Sequence, residues 1–212
     1  MTSNPVECFT WADSHLFGDS LAQHYRLRHH VFVEKLGWSN MTTERGMEWD
    51  QYDTPSTHYL IKRDHQGVSG TIRLVPTTGN YMIADIWGDR VIGGARRGPD
   101  AWEGSRLATR PGLTLRESRR ACAEILAAAV EFGARLGFDR VFHVTSPVVV
   151  RGALDRIGLR TRFLSEPWPE AGEEVVISET MTTPDDWAAV SGRLGLGPSN
   201  LALSDAAGLI AA

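Results

Sequence analysis

The chain has 212 residues, 42% of them hydrophobic and 23% charged, with two cysteines, Cys8 and Cys122, and a net charge of −4. That is enough apolar material for one full core, and the cysteine spacing fits neither a metal site nor a disulfide framework. No apolar run is long enough to span a membrane, and the N-terminal residues lack the basic start and apolar stretch of a signal peptide, so a cytoplasmic globular protein is expected.

In chain order, residues 7–12 read as a short strand. Residues 20–36 read as a helix, with Leu21, Tyr25, Phe32 and Leu36 near one stripe at 3.6 residues per turn. Residues 39–57 are polar and turn-rich and read as a long loop. Residues 58–63 and 68–76 read as strands joined by a hairpin turn at Asp64-His65-Gln66-Gly67. Residues 77–101 read as mostly loop and 102–109 as a strand. The clearest helix covers 114–136, with Thr114 as N-cap and Gly137 as stop. Residues 140–145 read as a buried strand, and 147–157 as a helix ended by Gly158. Strands at 159–163 and 174–180 and a helix at 184–192 follow. This order predicts an α/β fold: a single-domain, three-layer αβα sandwich with a mixed sheet over residues 1–192. A Gly/Ala-rich tail, 193–212, is expected to be loose.

Charge is unevenly spread. Residues 1–89 carry −4, residues 90–162 carry +7 and residues 163–212 carry −7. All the basic residues of the middle segment are arginine, and Lys35 and Lys62 are the only lysines. Compositional bias explains the choice of arginine but not its clustering. An acidic partner is expected there: a carrier protein, a phosphorylated cofactor or nucleic acid.

Three places combine residues that ordinary cores avoid. Arg28 lies on the apolar stripe of the first helix, while Arg26 points away from it. Either it is paired or lines a site, or its stem lies along apolar surface with its head in water. The run Glu48-Trp49-Asp50-Gln51-Tyr52-Asp53 interleaves carboxylates with aromatics. It is either a cradle for a cation or a solvated acidic loop, and it lacks the glycine turn of a calcium loop. In Trp102-Glu103-Gly104-Ser105-Arg106, a regular strand would turn Glu103 and Arg106 to opposite sides. A bulge near Gly104 would turn both into one cleft and free backbone N–H groups for an oxyanion; otherwise the two form an edge ion pair. Arg73, between Ile72 and Leu74 in a strand, raises the same question of a partner. His24, His29, His30, His58, His65 and His143 show no ligand pattern and read as surface or filler. No nucleophile elbow, phosphate loop or C-x-x-C is present.

Five blocks occur in order: Leu27-Arg28-His29-His30-Val31-Phe32, Gly37-Trp38, Met47-Glu48-Trp49-Asp50-Gln51-Tyr52-Asp53, Gly70-Thr71-Ile72-Arg73-Leu74 and Trp102-Glu103-Gly104-Ser105-Arg106. Together they resemble the ordered motifs of the LuxI-type acyl-homoserine lactone synthases, over roughly residues 25–163. The resemblance implies a splayed sheet like that of the GNAT acyltransferases. It also implies two substrates, S-adenosyl-L-methionine and an acyl group on acyl-carrier protein or coenzyme A, with no metal and no further cofactor. It makes Arg28, Phe32, Trp38, Glu48, Asp50, Asp53 and Arg73 the adenosylmethionine and ion-network residues, and Glu103 and Arg106 the catalytic pair. Thr145 matches a position that contacts a 3-oxo group in some members. An acyl-chain pocket is expected among Trp102, Ser105, Phe142, Val144, Thr145, Val148 and Val149. Docking of the acyl donor is expected at Arg116, Arg119, Arg120, Arg151 and Arg156. Trp87 departs from the phenylalanine usual in the family, and the chain past 163 resembles it weakly.

The same residues fit other functions less well. A plain GNAT-type N-acetyltransferase needs a pyrophosphate loop that Ala108-Thr109-Arg110-Pro111-Gly112-Leu113-Thr114 matches poorly. A non-catalytic acyl-thioester binder has no use for Glu103. A nucleic-acid binder needs a basic face undiluted by Glu117, Glu124 and Glu131.

Overall fold

The computed structural model describes residues 4–39 and 41–204. The strands are β1 (Val6–Phe9), β2 (Thr42–Glu44), β3 (Met47–Trp49), β4 (His58–Asp64), β5 (Gly67–Pro76), β6 (Ala101–Thr109), β7 (Arg140–Thr145), β8 (Thr161–Phe163), β9 (Trp168–Glu170), β10 (Glu173–Met181) and β11 (Leu201–Leu203). The helices are α1 (Ser20–Arg28), α2 (Met82–Trp87), α3 (Leu115–Leu136), α4 (Pro147–Val149) and α5 (Pro184–Leu194).

One large sheet runs in the order β11-β1-β4-β5-β6-β7-β10-β8, with β9 paired to β10. It is mixed: β1 is parallel to β11 and β6 to β7, and the other neighbours are antiparallel. The β6–β7 pair covers only Ala101↔Arg140, Trp102↔Val141 and Glu103↔Phe142. Past that rung the two strands part, which gives the expected splay.

α3 is the crossover from β6 to the parallel β7. Thr114 caps it in a reciprocal box with Glu117, and Gly137 closes it at φ 78°. Its apolar face, through Ile125, Ala128 and Phe132, covers Leu60, Leu74, Trp102 and Val141. A second cluster joins Ala127 and Val130 of α3 to Val150, Leu154, Val176 and Val190 of α5. On the other sheet face, Leu27 and Phe32 pack on Tyr59, Ile61 and Ala108, and Tyr81 and Ile83 pack on Val75, Phe142 and Ile177.

The 39–57 loop contains a tight hairpin, β2–β3, whose turn residues Arg45 and Gly46 both adopt positive φ. Met82–Trp87, expected as loop, is a short helix. The first helix changes character after Arg28: His29–Lys35 forms a π-helical segment, and Leu36 donates to the Val31 carbonyl at 3.0 Å.

The expectation of a loose tail after residue 192 is corrected for its described part. α5 runs to Leu194, and Leu201–Leu203 returns to pair with Val6–Cys8. The cause is a buried anchor: the Asn200 backbone N–H donates to Glu131 at 2.7 Å, and its side chain donates to the Glu124 carbonyl at 2.7 Å. The rest of the expected tail, 205–212, lies outside the described residues.

Candidate active site

Arg28 closes α1 and is fully buried. Its Nε donates to Glu48 at 2.5 Å, Nη2 to the other Glu48 oxygen at 3.0 Å, and Nη1 to Asp53 at 2.8 Å. Arg73, also fully buried, donates to Asp50 at 2.5 Å and lies 3.1 Å from Asp53. Arg106 reaches Asp50 at 2.8 Å and Glu48 at 3.3 Å. Three arginines and three carboxylates thus form one compensated cluster, the arrangement that buried charge requires. The acidic run of β3 and the following turn is therefore a buried partner set and not a solvated loop.

The aromatic blocks complete it. Phe32 and Trp38 stack with centroids 4.8 Å apart, and the Arg106 guanidinium lies 5.5 Å from each ring. The wide turns of the π-helical segment bring these rings together: Trp38 donates its backbone N–H to the Phe32 carbonyl at 2.9 Å.

Glu103 and Arg106 lie on one side of β6, as a bulge would require. The break sits after Ser105: Arg73↔Ser105 is followed by Thr71↔Ala108, so Arg106 and Leu107 together face Ile72. Arg106 takes φ 57°, a costly backbone for an arginine that its ion pairs hold in place. Gly104 keeps regular pairing. Its requirement is space, since a Cβ there would lie 2.9 Å from Val141 Cγ1.

Glu103 is fully buried, and one of its oxygens accepts from the Ile83 backbone N–H at 2.7 Å. The other, Oε1, has no hydrogen-bonding partner among the described residues. Burial pushes the Glu103 carboxyl up to about 7, with the Ile83 N–H and Arg73 opposing the rise. Asp50 and Asp53 behave oppositely. Burial raises them, but Arg73, aided by Arg106 at Asp50 and Arg28 at Asp53, outweighs it and holds both below the usual carboxylate range. Burial pulls the Arg28 guanidinium down, but Asp53 and Glu48 hold it above its ordinary value.

Two participants were not expected. His24, read as filler, is buried one turn before Arg28, 3.3 Å from its Nη1, and shares a 2.5 Å hydrogen bond with Thr71. Burial and the neighbouring Arg28 hold it well below the usual histidine range, so it is neutral. Tyr59 donates to Asp53 at 3.2 Å and meets the Tyr25 hydroxyl at 2.9 Å. The i, i+4 spacing of His24 and Arg28 was a usable sign, whereas Tyr59 looks like any core aromatic.

The seven residues expected to line an acyl pocket do not form one cluster. Trp102 belongs to the α3 face, 5.4 Å from Phe132 and 5.2 Å from Phe138. Phe142 packs on the opposite face with Tyr81 and Ile177, and Val144 packs there too. Ser105 is held by Arg73 at 3.1 Å. Thr145 is half-buried at the end of β7, and Val148 and Val149 are exposed at the start of α4. Arg116, Arg119 and Arg120 are exposed on the first turns of α3, and Arg151 and Arg156 on the turns after α4. Arg120 is tied to Glu124 at 2.7 Å.

The autoinducer synthase family model matches residues 14–189. An acyl-homoserine-lactone synthase of Ralstonia nicotianae is 36% identical over 148 residues, 67% of this chain and 71% of the relative. Among solved structures, the coenzyme A-dependent acyl-homoserine lactone synthase BjaI, with methylthioadenosine, superposes with a TM-score of 0.86 at 25% identity, covering 97% of this chain and 98% of BjaI. BjaI has also been solved with S-adenosylmethionine and isopentyl-CoA. An acyl-CoA N-acyltransferase of Pseudomonas aeruginosa has a TM-score of 0.53 at 16% identity, over 81% of this chain and 96% of the other, and shares the fold.

Proposed function

This chain belongs to the autoinducer synthase family, and from that premise we propose how its residues make an N-acyl-L-homoserine lactone from S-adenosyl-L-methionine and an acyl thioester. The observation that carries the assignment of roles is Glu103: a buried carboxyl, one oxygen of which has no hydrogen-bonding partner among the described residues, pushed by burial up to about 7, beside the Arg106 bulge.

A group poised near neutrality is suited to take a proton from an ammonium at working pH. Glu103 accepts that proton from the adenosylmethionine amine, which then attacks the thioester carbonyl. The backbone N–H groups of the Arg106–Leu107 bulge stabilise the oxyanion, and collapse expels the thiol. The methionine carboxylate next attacks its own γ-carbon, the C–S bond breaks, methylthioadenosine leaves and the lactone closes. The sulfonium is already a good leaving group, so this step mainly needs a folded substrate.

The network of Arg28, Arg73, Arg106, Glu48, Asp50 and Asp53 holds the adenosylmethionine side of the site, with Phe32 and Trp38 as its aromatic wall. Arg116, Arg119, Arg120, Arg151 and Arg156 offer a basic face to the donor. Both candidate donors, acyl-carrier protein and acyl-coenzyme A, are acidic. Among the described residues no helix is long and apolar enough to cross a membrane, and the proposed place of work is the cytoplasm.

The test is to incubate the purified protein with S-adenosylmethionine and a panel of acyl-carrier and acyl-CoA thioesters, with mass spectrometry of the products. Acyl-homoserine lactone and methylthioadenosine, both lost in Glu103→Ala, are expected. Acetylated amine without lactone overturns the reading in favour of an N-acetyltransferase.

A further inference from the structure

β7 lines the split in the sheet. Its first half pairs with β6, and beyond Phe142 only its β10 edge stays paired. Side chains alternate along it. Val141 faces α3, so His143 and Thr145 face α3 as well. The antiparallel partner of His143 on β10 is Ser178, and directly paired residues project to the same face. A histidine and a serine therefore stand side by side on the α3 side of the cleft. His143 is the residue next to Phe142, the partner of Glu103.

Their surroundings are apolar. Val176 and Phe163 flank Ser178 in the sheet and pack with Val150 and Leu154. Ser178 is fully buried, and its hydroxyl has no hydrogen-bonding partner among the described residues. The Val141 backbone opposes the effect of burial on the His143 ring, and His143 Nε2 is buried without a hydrogen-bonding partner among the described residues. Burial pulls the ring down to about 4, so near neutral pH Nε2 is a bare acceptor. Elsewhere in the molecule the same chemistry closes on itself, where His24 and Thr71 share one hydrogen bond at 2.5 Å. His143 and Ser178 do not.

A lone-pair acceptor beside a hydroxyl is complementary to another hydroxyl, which donates to Nε2 and accepts from Ser178 Oγ. A ketone oxygen accepts from Ser178 but leaves Nε2 unpaired, and a plain methylene satisfies neither. We propose that His143 and Ser178 recognise a hydroxyl on the acyl chain, and that the enzyme's preferred donor is a hydroxylated acyl thioester. This rests on the lactone-synthase reading and adds the class of acyl group to it.

The experiment uses the full chain and acyl thioesters of one chain length: unsubstituted, 3-oxo, 3-hydroxy, and hydroxylated nearer the tail. kcat/KM is followed by methylthioadenosine release. A hydroxylated donor is expected to exceed its unsubstituted counterpart by about tenfold or more. In Ser178→Ala and in His143→Leu that ratio should fall toward one, while His143→Gln, which keeps an acceptor, should retain part of it. An unsubstituted or 3-oxo donor turned over best by the wild type overturns this inference alone. So does a hydroxyl preference that survives in both Ser178→Ala and His143→Leu. Absence of lactone from every donor overturns the lactone-synthase reading, and this inference with it.

Discussion

Glu103 and Phe142 form the last paired rung before β6 and β7 separate, so a carboxyl poised near neutrality sits at the apex of the cleft. Glu103→Gln is expected to lower kcat by about 10²–10⁴-fold. The wild-type pH–rate profile should rise through a pH near 7 as Glu103 ionises. Steady-state kinetics between pH 5.5 and 8.5 check this, and a flat profile would remove Glu103 as the base.

The same carboxyl should cost stability. Its folded pKa of about 7 lies above its ordinary 4.5, so its contribution is fully present below pH ~4.5 and is lost as pH rises through 7. Glu103→Gln should therefore unfold at higher denaturant than wild type at pH 8, by up to about 3 kcal/mol, and show little gain at pH 4. Urea titrations at the two pH values decide it.

Asp50 and Asp53 carry the opposite sign. Both are held low by arginines, so their stabilisation is present above the ordinary carboxylate range and is lost as pH falls through their folded pKa values. Asp53→Asn leaves Arg28 and Arg73 short of a buried counter-charge and should cost about 3–5 kcal/mol. It should also flatten the acid limb of the stability profile, read by denaturant unfolding between pH 3 and 7.

Gly104→Ala tests the apex sterically. The new methyl meets Val141 Cγ1 at 2.9 Å and Ile72 Cδ1 at 3.3 Å, in a stretch where both strands are fixed in register. We expect a loss of about 1–3 kcal/mol and a lowered kcat, because the strain falls between Glu103 and Arg106. Thermal melts and kinetics on one preparation suffice.

Charge reversal at Arg116 and Arg119 together should raise KM for the acyl donor and leave KM for S-adenosylmethionine little changed. The donor KM of the wild type should rise with salt more steeply than that of the variant. An unchanged donor KM at low salt would move the docking face elsewhere.

Much of this site was legible because it is built from local violations of pattern. Arg28 on an apolar stripe, Arg73 inside a strand, and Glu103 and Arg106 one bulge apart each break a rule that only a partner can repair. The three arginines find their partners in the run 48–53, which mixes carboxylates with aromatics, whereas Glu103 takes the Ile83 backbone N–H. What was not legible depends on register between distant segments. Trp102 and Phe142 look like equivalent pocket aromatics until Trp102↔Val141 shows that they face opposite ways. β11 has three residues and no propensity signal of its own, and Asn200 on Glu131 recruits it to the sheet. His143 carries no motif, and its interest arises only from standing opposite Ser178.

The π-helical segment His29–Lys35 has a consequence for how this gene tolerates length changes. An ordinary helix advances about 100° per residue. Loss of one codon between Arg28 and Phe32 would let the segment relax to regular geometry, because a π-helical turn holds an extra residue, yet it would shift Phe32 along and around the helix axis and out of its present register with Trp38 and Arg106. Helix content would hardly change, while the aromatic wall of the site would be dismantled. Insertions and deletions in residues 29–38 should therefore be purged far more strongly than in the neighbouring β2–β3 turn, although helix propensity alone would rank the two stretches the other way.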